Sequence, residues 1–208
     1  MWSDIACPWC YIGKRRLEAA LGEFEGAEEV HLRWHSFELD PSAPAAYEGE
    51  HVDRIAAKYG RTREEIAASL ESMREMAAAE GLELNFELIR AGNTFDGHRL
   101  LQLAGEHGLQ SEMKERLMHA YFSEGALVSD REVLRRLAGE AGLPADAMED
   151  LLAGEAYGEQ VREDEHTAHR LGIDAVPFFI IDRRLAVRGA LDAPQLLVAL
   201  RQAAVSSA

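Results

Sequence analysis

The spacing of apolar residues changes twice along this chain of 208 residues, and that change limits the folds it can adopt. A short extended segment over residues 1–5 leads into an amphipathic helix, and residues 30–36 then alternate as a strand does. The middle of the chain carries helical patterns. Residues 178–181 and 185–188 return to strand-forming composition around a short turn, and a helix follows. The predicted order is βαβ, a helical block, then αββα.

This order predicts an α/β fold with a helical insertion. Two strands joined by a helix most simply form a right-handed parallel unit. The order of elements then indicates that the helical block is an insertion between the two halves of one α/β domain. We expect residues 1–45 and 155–208 to form the α/β domain and residues 46–154 to form an inserted all-helical domain. A stretch rich in Pro and Ala over residues 40–50 reads as the linker.

Local signals set several expected boundaries. Thr62 with Glu65 and Ser129 with Glu132 each have the spacing of a capping box at a helix start. Residues 82–88 alternate weakly and are expected to be extended. A last long helix over residues 157–171 should end at Gly172. The Met residues of the insertion fall at helical spacing and are interpreted as core or interface filling: Met73, Met76, Met113 and Met118.

Charge and hydropathy exclude two classes of partner. The formal charge of -15 argues against nucleic-acid binding and against anionic membrane surfaces. No apolar run approaches the roughly 20 residues that a membrane-spanning helix needs. The N-terminus lacks the basic start and apolar stretch of a secretion signal, so we expect a cytoplasmic protein. The first strand lies so close to residue 1 that it looks clipped, and a removed leader remains an alternative.

The two cysteines of the chain carry its clearest chemistry. Cys7 and Cys10 flank Pro8 and Trp9 at a predicted strand-to-helix turn. The unpaired N–H groups and dipole of a helix N-terminus favour a thiolate at the first cysteine. The second cysteine lies one turn along, close enough to form a disulfide. Cys7 is therefore the predicted nucleophile, and Cys10 the residue that resolves the mixed disulfide.

A second element of the site is predicted far along the chain. Pro177 stands directly before a buried strand, where proline needs a special reason. A cis bond between Val176 and Pro177 would place the Val176 backbone beside Cys7, where it could pair with an extended substrate. Trp9 cannot be deeply buried between the two cysteines, and it offers an apolar platform to a substrate. Val176, Pro177 and Trp9 are the predicted substrate-binding residues.

These segments resemble the FrnE-like branch of the DsbA family of thioredoxin-fold proteins. The resemblance rests on residues 7–15 (CPWCYIGKR), 36–41 (SFELDP), 93–99 (NTFDGHR) and 176–179 (VPFF). It implies a thioredoxin-like fold with an inserted helical domain, dithiol–disulfide exchange at the cysteine pair, and a cis proline at Pro177. Some relatives carry an additional cysteine pair, which this chain with its two cysteines lacks.

One alternative function comes from the same fold. Kappa-class glutathione transferases and 2-hydroxychromene-2-carboxylate isomerases share the helical insertion and a segment similar to residues 93–99. Those relatives typically have Ser at the position of the nucleophilic cysteine, whereas this chain has both cysteines. Asn93 is interpreted here as a cap of the following helix, and His98 as a residue that packs or faces solvent. A glutathione-dependent transferase or isomerase acting on a small molecule stays the alternative.

A zinc site is the alternative from another class. His31 and His35 follow the cysteines, but their separation from the pair exceeds that of known zinc patterns, and Arg33 lies between them on the same strand face. His166 and His169 lie three residues apart on an acidic helix, which is better explained as a solvated face. The sequence therefore predicts no metal site.

We predict a protein-disulfide oxidoreductase or isomerase with Cys7 as an exposed nucleophile. Lys14 and Arg15 are expected to cover the exposed side of the first helix. No tightly bound cofactor is required, although glutathione or a thioredoxin-type reductant is a candidate to recycle the pair. The partner is a thiol- or disulfide-containing protein or small molecule. The sequence leaves open the direction of electron flow, the physiological substrate and the oligomeric state.

Overall fold

A four-stranded mixed sheet lies at the centre of the fold in the computed structural model, which describes residues 1–205. Its strands are β1 (Trp2–Ser3), β2 (His35–Ser36), β3 (Phe178–Ile181) and β4 (Leu185–Arg188). The order across the sheet is β2-β1-β3-β4. β1 pairs in parallel with β2 and antiparallel with β3, and β3 forms an antiparallel hairpin with β4. This arrangement confirms the predicted α/β class and the thioredoxin-like order of elements.

The helices of the described residues lie before, between and after these strands. They are α1 (Pro8–Gly22), α2 (His51–Tyr59), α3 (Arg63–Ala79), α4 (Phe95–Glu106), α5 (Gln110–Phe122), α6 (Arg131–Glu140), α7 (Ala145–Ala153), α8 (Gly158–Arg170) and α9 (Ala193–Val205). α1 connects β1 to β2, and α2 to α8 lie between β2 and β3. Within residues 1–205, none of these helices is long and apolar enough to cross a membrane. The proposed domain boundaries at residues 45 and 155 stay predictions.

The first two strands are shorter than predicted. The predicted strands covered residues 1–5 and 30–36, but regular pairing joins Trp2 to His35 and Ser3 to Ser36 alone. At one end, the chain turns into α1, because the N–H of Cys7 donates to the carbonyl of Asp4 at 3.4 Å. At the other end, a 3₁₀ turn occupies residues 27–29, and residues 30–34 run as irregular chain towards β2.

Two further local predictions are wrong. Residues 82–88 do not form a strand: their alternate apolar side chains reach the core, and a 3₁₀ turn occupies Phe86–Leu88. At the start of α6 the cap is Asp130, whose carboxylate accepts the N–H of Glu132 at 2.8 Å. The neighbouring Ser129 hydroxyl instead donates to the carbonyl of Ala45. A carboxylate one residue closer to the helix satisfies the free N–H groups in its place.

Other boundary predictions are confirmed. Thr62 and Glu65 form the expected capping box at the start of α3. The last long helix before the hairpin, α8, spans Gly158–Arg170, and Gly172 has a φ of 71° just beyond it. Such a left-handed conformation is one that glycine adopts at little cost, so the helix ends where the sequence indicated.

Three buried clusters form the core of residues 1–205, and two of them, one large and one smaller, meet at α1. The first residues of α1 pack with α3 to α7 in the large cluster, and Leu17 and Ala20 pack with β3, β4 and α9 in the smaller one. Met113 and Met118 are fully buried in the large cluster, and Met73 and Met76 pack against it. The interpretation of these methionines as core filling is confirmed. α1 is thus held by both the sheet and the helical block.

Candidate active site

The two cysteines lie at the first turn of α1, as the sequence predicts. Cys7 directly precedes the helix, and Pro8 is its first residue. The carbonyl of Cys7 accepts the N–H groups of Cys10 at 3.0 Å and Tyr11 at 3.3 Å, which closes the first turn. Both cysteines are free thiols in the structure. The Cys7 sulfur therefore lies at the positive end of the helix dipole, with Cys10 one turn behind it.

The prediction that Cys7 is exposed is wrong. Cys7 is 4% exposed and Cys10 is 0% exposed, whereas Trp9 between them is 38% exposed. Cys7 is covered because the loop before β3 lies against it, and its thiol donates to the carbonyl of Val176 at 3.7 Å. Trp9 keeps the accessible position predicted for it. The Cys7 sulfur therefore lies against the backbone of the loop before β3.

The peptide bond between Val176 and Pro177 is cis, as the sequence predicts. Pro177 is buried against α1 at the point where Gly13 offers no side chain. A Cβ atom added at Gly13 would lie 3.1 Å from Cγ of Pro177 and 3.6 Å from the ring of Phe179. The glycine therefore allows the helix that carries both cysteines to approach the proline loop closely.

Filling this contact should weaken the protein. We expect Gly13→Val to lower the free energy of unfolding by about 2 kcal/mol, because the new side chain overpacks the contact with Pro177. Gly22→Val is the matched control in the same helix, since an added Cβ atom there meets nothing within 4 Å. Urea unfolding of both variants measures the difference. Equal stability of the two would contradict the close contact.

A buried carboxylate shapes the turn that presents Cys7. Asp4 is 2% exposed, and its side chain accepts the N–H of Leu39 at 2.7 Å and of Ala6 at 3.3 Å. The ring Nε2 of His98, which is 0% exposed, lies 3.3 Å from the same carboxylate. Burial alone would raise the pKa of Asp4, but the hydrogen bond and charge of His98 and the Leu39 N–H hold it below its usual range. Asp4 therefore stays ionised beneath the turn.

A buried lysine lies near the cysteines. Lys114 of α5 is 0% exposed, and its ammonium donates to the carbonyl of Ser3 at 3.4 Å. Burial lowers the pKa of Lys114 to about 8, against the opposing attraction of Cys10, Asp4 and Cys7. Burial likewise raises the pKa of the Cys10 thiol well above its usual range, with Cys7 adding to the shift and Lys114 opposing it.

The prediction that Lys14 covers an exposed side of α1 is also wrong. Lys14 is 3% exposed and pairs with Glu18 and, at 2.6 Å, with Glu115 of α5. Glu115 also accepts the hydroxyl of Tyr11 at 2.7 Å and a guanidinium N–H of Arg15 at 2.9 Å. Burial would raise the pKa of Glu115, but these donors lower it to about 2. This cluster fastens α1, the helix that carries the cysteines, to α5.

The segment over residues 93–99 supports the turn from the other side. Asn93 accepts the N–H of Phe95, the first residue of α4, at 2.8 Å. It therefore satisfies one free N–H of this helix, as predicted for a cap, but the N-cap position itself belongs to Thr94. A Cβ atom at Gly97 would lie 2.6 Å from Cδ1 of Ile5, two residues before Cys7. His98 packs against Asp4, in agreement with the packing role predicted for it.

Arg99 completes this segment. It is 4% exposed and donates to the carbonyls of Leu151, Gly154 and Ala156, which follow or end α7. Because a guanidinium presents several donors in one plane, it can satisfy these free carbonyls together. The whole segment thus fixes α4 against both the cysteine turn and α7.

The histidines considered as metal ligands have other surroundings than the cysteine pair. The His35 ring nitrogen lies 2.5 Å from the Asp164 carboxylate and the ring stacks on Trp2, while His166 and His169 are exposed on α8. Across the described part of the chain, no group of three or more His, Cys, Asp or Glu side chains is placed to hold a metal ion.

Sequence reasoning missed Asp4, Lys114 and Glu115. One signal could have found Lys114: with Leu117, Met118 and Tyr121 it occupies the same buried face of α5. A lysine at a core position of an apolar helix face calls for an explanation. Asp4 and Glu115 carry no such signal, because their partners lie far away in the sequence.

Comparison with known proteins agrees with this geometry. The DSBA-like thioredoxin domain family matches residues 1–201. A probable DsbA oxidoreductase from Streptomyces coelicolor superposes with a TM-score of 0.93 at 41% identity, covering 98% of this chain and 88% of that one. YwbO of Bacillus subtilis, called an uncharacterized protein, is 28% identical over 186 residues, which are 87% of this chain and 84% of that protein.

More distant structures share the fold. The cytosolic disulfide reductase DsbM from Pseudomonas aeruginosa, solved with GSH, has a TM-score of 0.63 at 22% identity and covers 99% of this chain and 95% of that one. A 2-hydroxychromene-2-carboxylate isomerase has a TM-score of 0.67 at 16% identity, with 99% and 93% covered. Taken with the family match over nearly the whole chain, the fold and the cysteine turn lead to one assignment: this chain belongs to the DSBA-like thioredoxin domain family.

Proposed function

We propose that the chain is a thiol–disulfide oxidoreductase whose redox centre is the Cys-Pro-Trp-Cys turn, acting on protein or small-molecule disulfides. One observation carries the proposal: Cys7 lies at the N-terminus of α1 with its sulfur 3.7 Å from the carbonyl of Val176, and Cys10 lies one turn behind it. A helix N-terminus stabilises the thiolate that attacks, and the second thiol is placed to resolve.

The proposed reaction is balanced between the two cysteines and the substrate. The Cys7 thiolate attacks a substrate disulfide, one substrate sulfur leaves as a thiolate, and a mixed disulfide forms. Cys10 then attacks the Cys7 sulfur, the second substrate sulfur leaves, and the Cys7–Cys10 disulfide remains. The substrate gains two electrons and the Cys10 proton passes to the released thiol. Running the steps backwards oxidises a dithiol, so the direction depends on the redox potential.

Substrate recognition is assigned to the edge beside Cys7. Val176 and Pro177 form the loop against the sulfur, and Trp9 offers a partly exposed apolar ring next to it. In the proposed complex an extended substrate pairs with the Val176 backbone as an added strand does. The helices between β2 and β3 contact the same helix α1 and would limit which substrates reach the turn.

Glutathione is the proposed exchange partner, and the cytoplasm the proposed location. The support for both is the fold shared with DsbM, whose name describes a cytosolic disulfide reductase and whose structure was solved with GSH. No tightly bound cofactor is part of the proposal. The reductase and oxidase directions remain to be separated by the redox potential of the pair.

The test is the equilibrium between the dithiol and the disulfide in glutathione buffers. We expect a reversible two-electron transition between the dithiol and the disulfide. Thiol labelling measures it directly, and Trp fluorescence should report it because Trp9 lies between the two cysteines. A midpoint near that of thioredoxin, about -270 mV, would identify a reductase, and one near that of DsbA, about -120 mV, an oxidase.

Two outcomes would contradict the proposal. If the cysteine pair never closes under oxidising conditions, it is not a redox centre. If the protein instead binds glutathione without exchange and turns over a small molecule, the transferase or isomerase alternative replaces it.

A further inference from the structure

We propose that Lys114, which lies in the helical block, is a positioning residue for disulfide exchange: its buried ammonium stabilises the Cys10 thiolate that resolves the mixed disulfide. This inference rests on the proposed function and adds to it a role for a residue of α5. The steps below follow from the burial and pairing of the charges around the cysteine turn.

Lys114 is a buried cation without an ion-pair partner. Its side chain is 0% exposed, and within residues 1–205 no carboxylate lies within 4 Å of its ammonium. The described hydrogen bond is a long one, 3.4 Å to the carbonyl of Ser3, and the ring centroid of Trp34 lies 5.8 Å away. An ammonium has three N–H donors, so this environment leaves most of its hydrogen-bonding capacity and its charge unmatched.

The neighbouring carboxylates are already matched by other groups. Asp4 accepts hydrogen bonds from the N–H groups of Leu39 and Ala6 and faces His98. The other buried lysine of this region, Lys14, is neutralised by Glu18 and Glu115. Among the charges that attract the Lys114 ammonium, the Cys10 thiolate comes first, and Asp4 and Cys7 follow.

Cys10 needs such a cation. It is 0% exposed, so water cannot solvate its thiolate, and burial is the main reason that the pKa of this thiol is raised. The geometry places Lys114 at the same turn: its ammonium donates to the carbonyl of Ser3. Its neighbours on α5, Met113 and Leu117, pack with Cys10 in one buried cluster. The positive charge of Lys114 opposes the rise in the pKa of Cys10. Because the thiolate and not the thiol attacks, each group that stabilises it raises the rate of resolution.

Other charges that face Lys114 do not replace it. Lys14 opposes Lys114 but is paired, and Cys7 is bonded to substrate when Cys10 attacks. Lys114 keeps its proton throughout the step: Cys10 bonds to the Cys7 sulfur, the bond from Cys7 to the substrate breaks, and the Cys10 proton passes to the released thiol.

The experiment follows resolution in one turnover. Dithiol protein is mixed with oxidised glutathione, quenched with acid at intervals, and the mixed disulfide is separated from the closed disulfide. Formation of the mixed disulfide depends on the concentration of oxidised glutathione, whereas its resolution by Cys10 does not. The two rates are therefore measured independently. Wild-type protein, Lys114→Met, Lys114→Arg and Lys14→Met are compared from pH 6 to pH 10, a range of roughly two units on either side of the lowered pKa of Lys114.

We expect Lys114→Met to slow resolution about tenfold at neutral pH and to move its pH midpoint up by about one unit, because one unit is a typical effect of a nearby opposite charge. The two rates should converge above the pKa of Lys114, about 8, where the ammonium has lost its proton and no longer stabilises the Cys10 thiolate. Lys114→Arg should restore most of the rate. Lys14→Met removes a buried lysine that is already paired, so it should leave the pH midpoint unchanged.

The failures are distinguishable. A wild-type pH profile in folded Lys114→Met would overturn the role of Lys114 while leaving the redox centre intact, whereas absence of exchange in the wild-type protein would remove the proposed function itself. If Lys114→Met does not fold, the test is made on the wild-type protein: the titration of the Lys114 ammonium is measured by nitrogen NMR. That titration should differ between the dithiol and disulfide forms, and an identical titration would overturn the proposal.

Discussion

Replacing Cys7 with Ser is expected to abolish disulfide exchange, and replacing Cys10 with Ser is expected to trap it half-way. A Ser hydroxyl is not ionised near neutral pH and does not form disulfides, so Cys7→Ser removes the attacking atom. Cys10→Ser leaves the attack intact but removes the thiol that resolves it. The two variants should therefore fail at different steps.

The measurement is the reaction of each variant with oxidised glutathione, followed by mass. Cys10→Ser should gain a single glutathione that a reductant removes, and Cys7→Ser should gain none at a comparable rate, because Cys10 is 0% exposed. The chain has two cysteines, so any residual thiol chemistry in either variant belongs to the other one. Full exchange activity in folded Cys7→Ser would mean that the assignment of the nucleophile is wrong.

The fold was predictable because its signals are local. The helical period of α1, the capping box of Thr62 and the strand composition of β3 and β4 each depend on neighbours within a few residues. The cysteine turn was predictable for the same reason. Predicted strand lengths were wrong because pairing needs a partner strand, and residues 30–34 have the right composition but run as irregular chain.

The environment of the cysteines was not predictable from local patterns. Cys7 is covered by Val176, 169 residues away, and Lys114 reaches the turn from 111 residues beyond Ser3. Lys14 was expected on the surface because a lysine usually is, but Glu115 of another helix pairs with it. Burial and charge pairing at this site follow from contacts that only the folded chain creates.

The second large effect is expected at Asp4, a buried carboxylate at the turn that carries Cys7. Asp4 lies beneath the turn and holds the N–H groups of Leu39 and Ala6 while it faces His98. Asp4→Asn removes the charge but keeps the size, and it leaves a buried histidine without its carboxylate. We expect a loss of about 3 kcal/mol in the free energy of unfolding, the usual cost of breaking a buried pair.

The pH dependence of stability gives this prediction a signature that a mere packing defect would lack. Because the pKa of Asp4 is lower in the folded protein than in the unfolded chain, its carboxylate stabilises the fold above the unfolded value of about 3.9. That contribution is lost as the pH falls from about 5 through 3.9 towards the lower folded pKa, where Asp4 takes up its proton. Urea unfolding between pH 3 and pH 7, a range of about one unit below to three units above the unfolded pKa, should therefore show a weaker dependence in Asp4→Asn than in the wild type. Asp174→Asn is the control, since this exposed carboxylate pairs with exposed Arg188 and should change little. A wild-type stability and pH profile in Asp4→Asn would mean that the turn carrying Cys7 does not depend on the buried charge.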